Sequence, residues 1–156
     1  MLSRVLFIGA IVIALGSIGL FFLGSSSYQD SFQSRVYYFL GDYESAHDLS
    51  KRAYESDPYN KMAFTVYSQS IIALKYAAYI NQGNDYLSQI DSISTKKEVD
   101  EADRSRIKMM SEIMIDSYRA LSPSPLTDKK LQENARIMQE KFKSLHHELF
   151  GKITIE

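Results

Sequence analysis

The chain has 156 residues, with 18 Lys and Arg against 19 Asp and Glu and a formal net charge of −1; its basic residues form no cluster, so it lacks the electrostatic footprint of a nucleic-acid binder. It contains no Cys, which excludes disulfides, cysteine-based metal sites and a lipid-modified cysteine. Beyond the first two dozen residues about 130 remain, enough for one domain with its own core and short for two.

Residues 1–4 are short and basic, and residues 5–23 carry no charge. About 19 apolar residues at ~1.5 Å each nearly match a ~30 Å hydrocarbon core, so a single transmembrane anchor through residues 5–23 is expected, with the lipid bilayer as partner. The alternative is a cleaved secretory signal, but the run is long for one and Gly24-Ser25-Ser26 is a poor cleavage site. Arg4 on one side and no Lys or Arg over residues 25–34 on the other predict a cytoplasmic N-terminus. The rest would then lie outside the cytoplasm, at a bacterial inner membrane facing the periplasm. Ala10, Ala14 and Ser17 have the small-residue spacing that permits helix contact in lipid, although a plain anchor needs no such contact.

Residues 28–40 predict a helix leading into Gly41, which suits a left-handed residue at a helix end. Its aromatics Tyr28 and Phe32 suit either that helix or the rim of a membrane. A second helix follows in which Ala46 and Ala53, two turns apart, put small side chains on one face for close packing. Pro58 stops it, because a helical conformation is disfavoured at Asp57.

Tyr37, Gly41, Asp42, Tyr43, Ala46, Ala53, Asp57 and Pro58 resemble, in type and spacing, the second half of a tetratricopeptide repeat. The match covers about one repeat and departs from the pattern at Asp30, where an aromatic is usual, and at Ser50, where a bulky residue is. A repeat-like pair and a plain helical hairpin both keep the same helices. The resemblance implies a concave surface that holds a peptide or a partner's helix, with Arg35, Tyr38 and Phe39 on the first helix and Thr65, Gln69 and Ile72 on the next as contacts. Packing inside the domain is the alternative for the aromatics. Ser31, Arg35 and Val66 stand where the carboxylate-clamping subclass has Lys and Asn, so that activity is not implied.

Asn60 is a plausible N-cap for a long helix through Ile80, whose apolar residues spread around much of its circumference and predict cover on more than one side. Asn81 to Asp85 predicts a turn, with Gly83 ending one helix and Asp85 capping a short one over residues 86–93. Thr95 to Glu98 has capping-box spacing and predicts a helix over residues 96–121, packed through Val99, Ala102, Met109, Met110, Ile113, Ile115 and Tyr118. Ser122-Pro123-Ser124-Pro125 predicts a stiff extended joint. Thr127 or Asp128 would cap the last helix, where Leu131, Ala135, Met138, Phe142, Leu145 and Leu149 form an amphipathic stripe. The stripe either caps the domain or docks on a partner helix or a second copy, and Leu131, Met138, Phe142 and Leu145 are candidate contacts in the latter case.

No H-E-x-x-H pattern, phosphate-cradling Gly loop, G-x-S-x-G elbow or nucleophilic Cys is present, and the adjacent His146 and His147 point in different directions and are expected at the surface. No enzyme activity, cofactor or metal is therefore expected. The fold expected is all-α: an anchor over residues 1–24, a small repeat-like helical domain over 25–121, and the joint with a C-terminal capping helix over 122–156. The expected function is a membrane-anchored scaffold or adaptor that binds other proteins, by itself or as an oligomer, as a subunit of an envelope assembly, with flagellar motors and secretion machines as analogies. The alternative is a periplasmic chaperone-like module for secreted chains.

Overall fold

The computed structural model describes residues 26–122, 124, 125 and 127–151, and before them 7, 9, 11–13, 16 and 24. Its helices are α1 (Ser26–Leu40), α2 (Tyr43–Ser56), α3 (Lys61–Ser94), α4 (Glu101–Arg119) and α5 (Lys129–Phe150), and the described residues contain no strand. The all-helical class is as expected. The membrane anchor is not: among the described residues no helix is long and apolar enough to cross a membrane, and even the 34-residue α3 carries Lys61, Lys75, Asp85 and Asp91. The anchored topology, the inner-membrane location and the periplasmic placement derived from it are corrected accordingly. Most of the expected span 5–23, with Ala10, Ala14 and Ser17, lies outside the described residues.

The chain divides into two compact units between Ile71 and Ile72, inside α3. In the first, α1 ends as expected at Gly41, with φ +83°. The Gly41 N–H donates to Tyr38 O and the Asp42 N–H to Tyr37 O, a Schellman pair that satisfies two carbonyls of the last turn. Asp42 then caps α2 by accepting from the Ser45 N–H, so one short turn closes one helix and opens the next. Ala46 and Ala53 are fully buried, and α2 stops at Ser56 before Pro58.

The two departures from the repeat pattern have structural roles here. Asp30 receives two hydrogen bonds from Arg52, at 2.8 and 3.2 Å, tying α1 to α2. Ser50 is buried between Ala46 and Ala53, and opposite them α1 buries only Ser27, Ser31 and Ser34. The hydroxyls of Ser31, Ser34 and Ser50 donate to carbonyls three residues back, and Ser27 Oγ donates across to Ala53 O at 2.9 Å. Polar side chains enter this seam because each is hydrogen-bonded.

Asn60 completes the unit. Its Oδ1 caps α3 through the Met62 and Ala63 N–H groups, as expected, while its Nδ2 donates to Ser27 Oγ and Ser31 Oγ at 3.0 and 3.2 Å. The expected cover of α3 on more than one side is not found in this unit: Ala63, Val66 and Ser70 are buried, whereas Phe64 and Ile71 are exposed.

In the second unit the core is Ala73, Tyr76, Tyr79, Ile90 and Ile93 from α3, Ile107, Met110, Met114 and Ile115 from α4, and Leu131, Ala135, Met138 and Phe142 from α5. The turn expected at Asn81 to Asp85 does not form, and Gly83 lies inside α3. A Cβ on Gly83 would come within 2.6 Å of Met138 Cγ and 3.0 Å of Met114 Cε, so glycine serves there to let α5 approach. That packing offsets the ~1 kcal/mol that glycine costs a helix interior relative to alanine.

The capping box at Thr95 and Glu98 is not made either. Thr95 Oγ1 donates back to Ser92 O at the end of α3, and Asp100 caps α4 through the Asp103 N–H. Lys96 Nζ sits 2.7 Å from both oxygens of the buried Asp103, which fixes the entry to α4. Its helical face is therefore Ile107, Met110, Met114 and Ile115, and Val99, Ala102 and Met109 are exposed. In place of an extended joint, the Thr127 N–H donates to Ser124 O and the Ser124 N–H to Thr127 Oγ1, closing a turn ahead of the Asp128 cap of α5; Pro123 lies outside the described residues.

Candidate protein-interaction site

With its serines facing α2, α1 has no inward position left for its large apolar residues. At ~100° per residue, Phe32, Val36, Phe39 and Leu40 centre roughly 160° around the helix from Ser27, Ser31 and Ser34. They are 63, 43, 74 and 74% exposed. Single exposed apolar residues are ordinary, but four at i, i+4, i+7 and i+8 make a continuous ridge of the kind that marks interaction sites. Burying such side chains on a partner is worth ~1.5–3 kcal/mol each. The Arg35 guanidinium lies 5.6 Å from the Phe39 ring centroid, on the edge of the ridge.

Of the contacts expected on the first pair, Arg35 and Phe39 thus come together on the exposed side. Tyr38 does not join them: it is half-buried, with its ring edge-on to Tyr43 at 5.4 Å. Thr65 is exposed and spends its hydroxyl on Lys61 O, Gln69 is half-buried, and Ile72 is a half-buried residue of the second unit.

The α5 stripe is divided between core and surface. Leu131, Met138 and Phe142 are buried in their own unit and are not free for a partner. Leu145 is half-buried and lines a groove of about 810 Å³ between α3 and α5, together with the apolar Leu87, Ile90 and Ile137. Exposed charges border it: Asp91 from α3, and Arg136, Glu140, Lys141 and Glu148 from α5. Arg136 pairs with Glu133 at 2.7 Å and Glu140 with Lys143 at 3.2 Å, whereas Asp91, Lys141 and Glu148 have no ion-pair partner among the described residues. Leu87 and Ile90 fall in the short helix expected over residues 86–93 and Ile137 lies outside the expected stripe of the last helix, and none of the three was an expected contact. An uninterrupted α3 puts Leu87, Ile90 and Ser94 on one face, which is the signal that marks this wall.

Shifted ionisations elsewhere have structural causes. The ammonium of Lys96 holds the Asp103 carboxyl below its ordinary value, the Ser45 N–H and hydroxyl do the same for Asp42, and burial pushes the Tyr79 phenol up to about 12 while its hydroxyl donates to Met114 O. Among the described residues no three His, Asp or Glu side chains are grouped to hold a metal. His147 is exposed as expected, but His146 is buried against Phe150, with Nε2 3.5 Å from Glu112, because its position falls beside Phe142 and Leu145 on the packed side of α5.

No family model, curated protein or solved structure matches the chain, so the repeat resemblance gains no support beyond the residues of the α1–α2 pair themselves.

Proposed function

We propose that the chain is a protein-interaction module, a scaffold or adaptor that engages another polypeptide through the outward face of α1. The observation that carries this reading is the reversed helix: α1 buries Ser27, Ser31 and Ser34 and presents Phe32, Val36, Phe39 and Leu40 to solvent. A helix held from behind by a hydrogen-bonded seam presents its ridge already ordered, so little conformational entropy is lost on docking. The partner surface that fits is a hydrophobic groove taking a helix by i, i+4 and i+7 anchors.

The test joins stability with association. A photo-reactive residue at position 36 of the full chain, irradiated in cells of its source, should give discrete polypeptide crosslinks. Adding Phe39→Asp should abolish them while leaving thermal unfolding of the purified chain within ~0.5 kcal/mol, as for an exposed position. Early melting of that variant would mean that Phe39 belongs to an internal core, and the reading would fall.

A further inference from the structure

Resting on that reading of α1, we propose that the polypeptide it engages is a second copy of this chain, with the α1 ridge of one copy seated in the α3–α5 groove of the next. The dimensions agree. From Phe32 to Leu40 the ridge spans about 12 Å at ~1.5 Å per residue, against groove walls of about 10 Å for residues 87–94 and about 18 Å for residues 136–148. The chemistry agrees as well, four exposed apolar side chains meeting a surface built from Leu87, Ile90, Ile137 and Leu145.

Charge selects this occupant. Arg35 borders the ridge and has no carboxylate partner among the described residues, and Asp30, the other charged residue of α1, is already held by Arg52. Across the interface, the groove edge carries two carboxylates, Asp91 and Glu148, and one cation, Lys141, that have no ion-pair partner among the described residues. A guanidinium at the edge of a desolvated contact with a carboxylate makes a charge-assisted pair.

Ridge and groove are different surfaces of the chain, so the contact is heterologous. Two copies can exchange ridge and groove reciprocally and close as a pair, or each added copy leaves one ridge and one groove open and the product is a ring or a linear series.

Sedimentation velocity on the full chain over a concentration series tests this. Wild type should form dimers or larger species. Phe39→Asp, which spoils the ridge, and Ile137→Asp, which spoils the groove, should each weaken association by at least about 30-fold and leave monomers. Ser144→Arg, an exposed groove-edge change that touches no core residue, should act like Ile137→Asp and covers the case in which that variant unfolds. Mixing the ridge variant with a groove variant restores one sound ridge and one sound groove, and should give 1:1 heterodimers that grow no further.

A wild-type chain that stays monomeric would overturn the proposal, and so would association lost in Phe39→Asp but retained in both groove variants. In either case, position-36 crosslinks to a different protein would leave α1 standing as an interaction helix. Absence of any crosslink from position 36, with association unaffected by Phe39→Asp, would remove both.

Discussion

Behind α1 the first unit buries serine hydroxyls, each returned to a carbonyl, and joins them to α3 through the amide of Asn60; the second buries Phe142, Met110, Met114, Met138 and two tyrosines around a bare glycine. Both solutions bring helices close together, but they distribute apolar surface differently. A seam of Ser and Ala fixes two helices at short range while burying little apolar area, so the large apolar residues of α1 remain for the surface. In the second unit most go inside, and the half-buried Leu87 and Leu145 with the exposed Ile137 line the groove over the buried Ile90. A ridge on one unit and a groove on the other are therefore products of how each interior is filled.

The sharpest way to break this contrast is Phe142→Ala. If the second unit stands on apolar packing, removing its largest fully buried side chain should cost on the order of 3–5 kcal/mol in denaturant unfolding, a large part of the ~5–15 kcal/mol of a small domain. A loss below about 1 kcal/mol would show that the core is not where the stability lies. Asn60→Ala asks the same of the first unit. It removes a helix cap and leaves Ser27 and Ser31 without their shared donor, so a loss of roughly 2–3 kcal/mol is expected, seen as early exchange of α1 and α2 amides. Unchanged exchange there would mean that the polar seam contributes nothing.

Gly83→Ala is smaller and tests packing against propensity. The gain of up to ~1 kcal/mol in helix propensity is outweighed by the clash with Met138, giving a net loss of about 1 kcal/mol that Met138→Ala in the same chain should relieve in a double-mutant cycle. A net gain in stability would refute the close approach. The smallest effect is electrostatic. Asp103 has a depressed pKa in the folded chain, so its pairing with Lys96 stabilises at neutral pH and is lost as pH falls below the ordinary 3.8. Asp103→Asn should lower the neutral urea midpoint and flatten its decline in acid; an equally steep acid limb would rule the pair out as its source.

What the sequence made legible was local. Gly41, Asp57–Pro58, Ala46 with Ala53, and the Asn60 cap each depend on neighbours a few residues away, and each is found in place. Gly83 was not legible, because its role is decided by Met138, 55 positions later, and a local rule assigns glycine to a turn. The capping box at Thr95 did not form because α4 starts at Glu101 behind the Asp100 cap, fixed by the Lys96–Asp103 pair and the apolar face of α4, neither of which a local cap pattern contains. The stripe of α5 could be seen, yet whether Phe142 packs in its own unit or on a partner depends on what stands opposite. At the candidate site, the repeat resemblance placed contacts at Arg35 and Phe39 of α1, while nothing in the sequence around them shows that serines take its inner face.

The position of Tyr79 has a spectroscopic consequence. The chain has eleven tyrosines and no tryptophan, so its near-ultraviolet absorbance and emission are those of phenols. Exposed phenols ionise near pH 10, whereas Tyr79, donating to Met114 O inside the second unit, holds its proton until about 12. Because the folded value is the raised one, its stabilisation is complete below pH 10 and disappears as the pH climbs toward 12. An alkaline absorbance titration therefore carries a late step belonging to the second unit, and merging of that step with the main one reports loss of the α3–α4 contact without any introduced label.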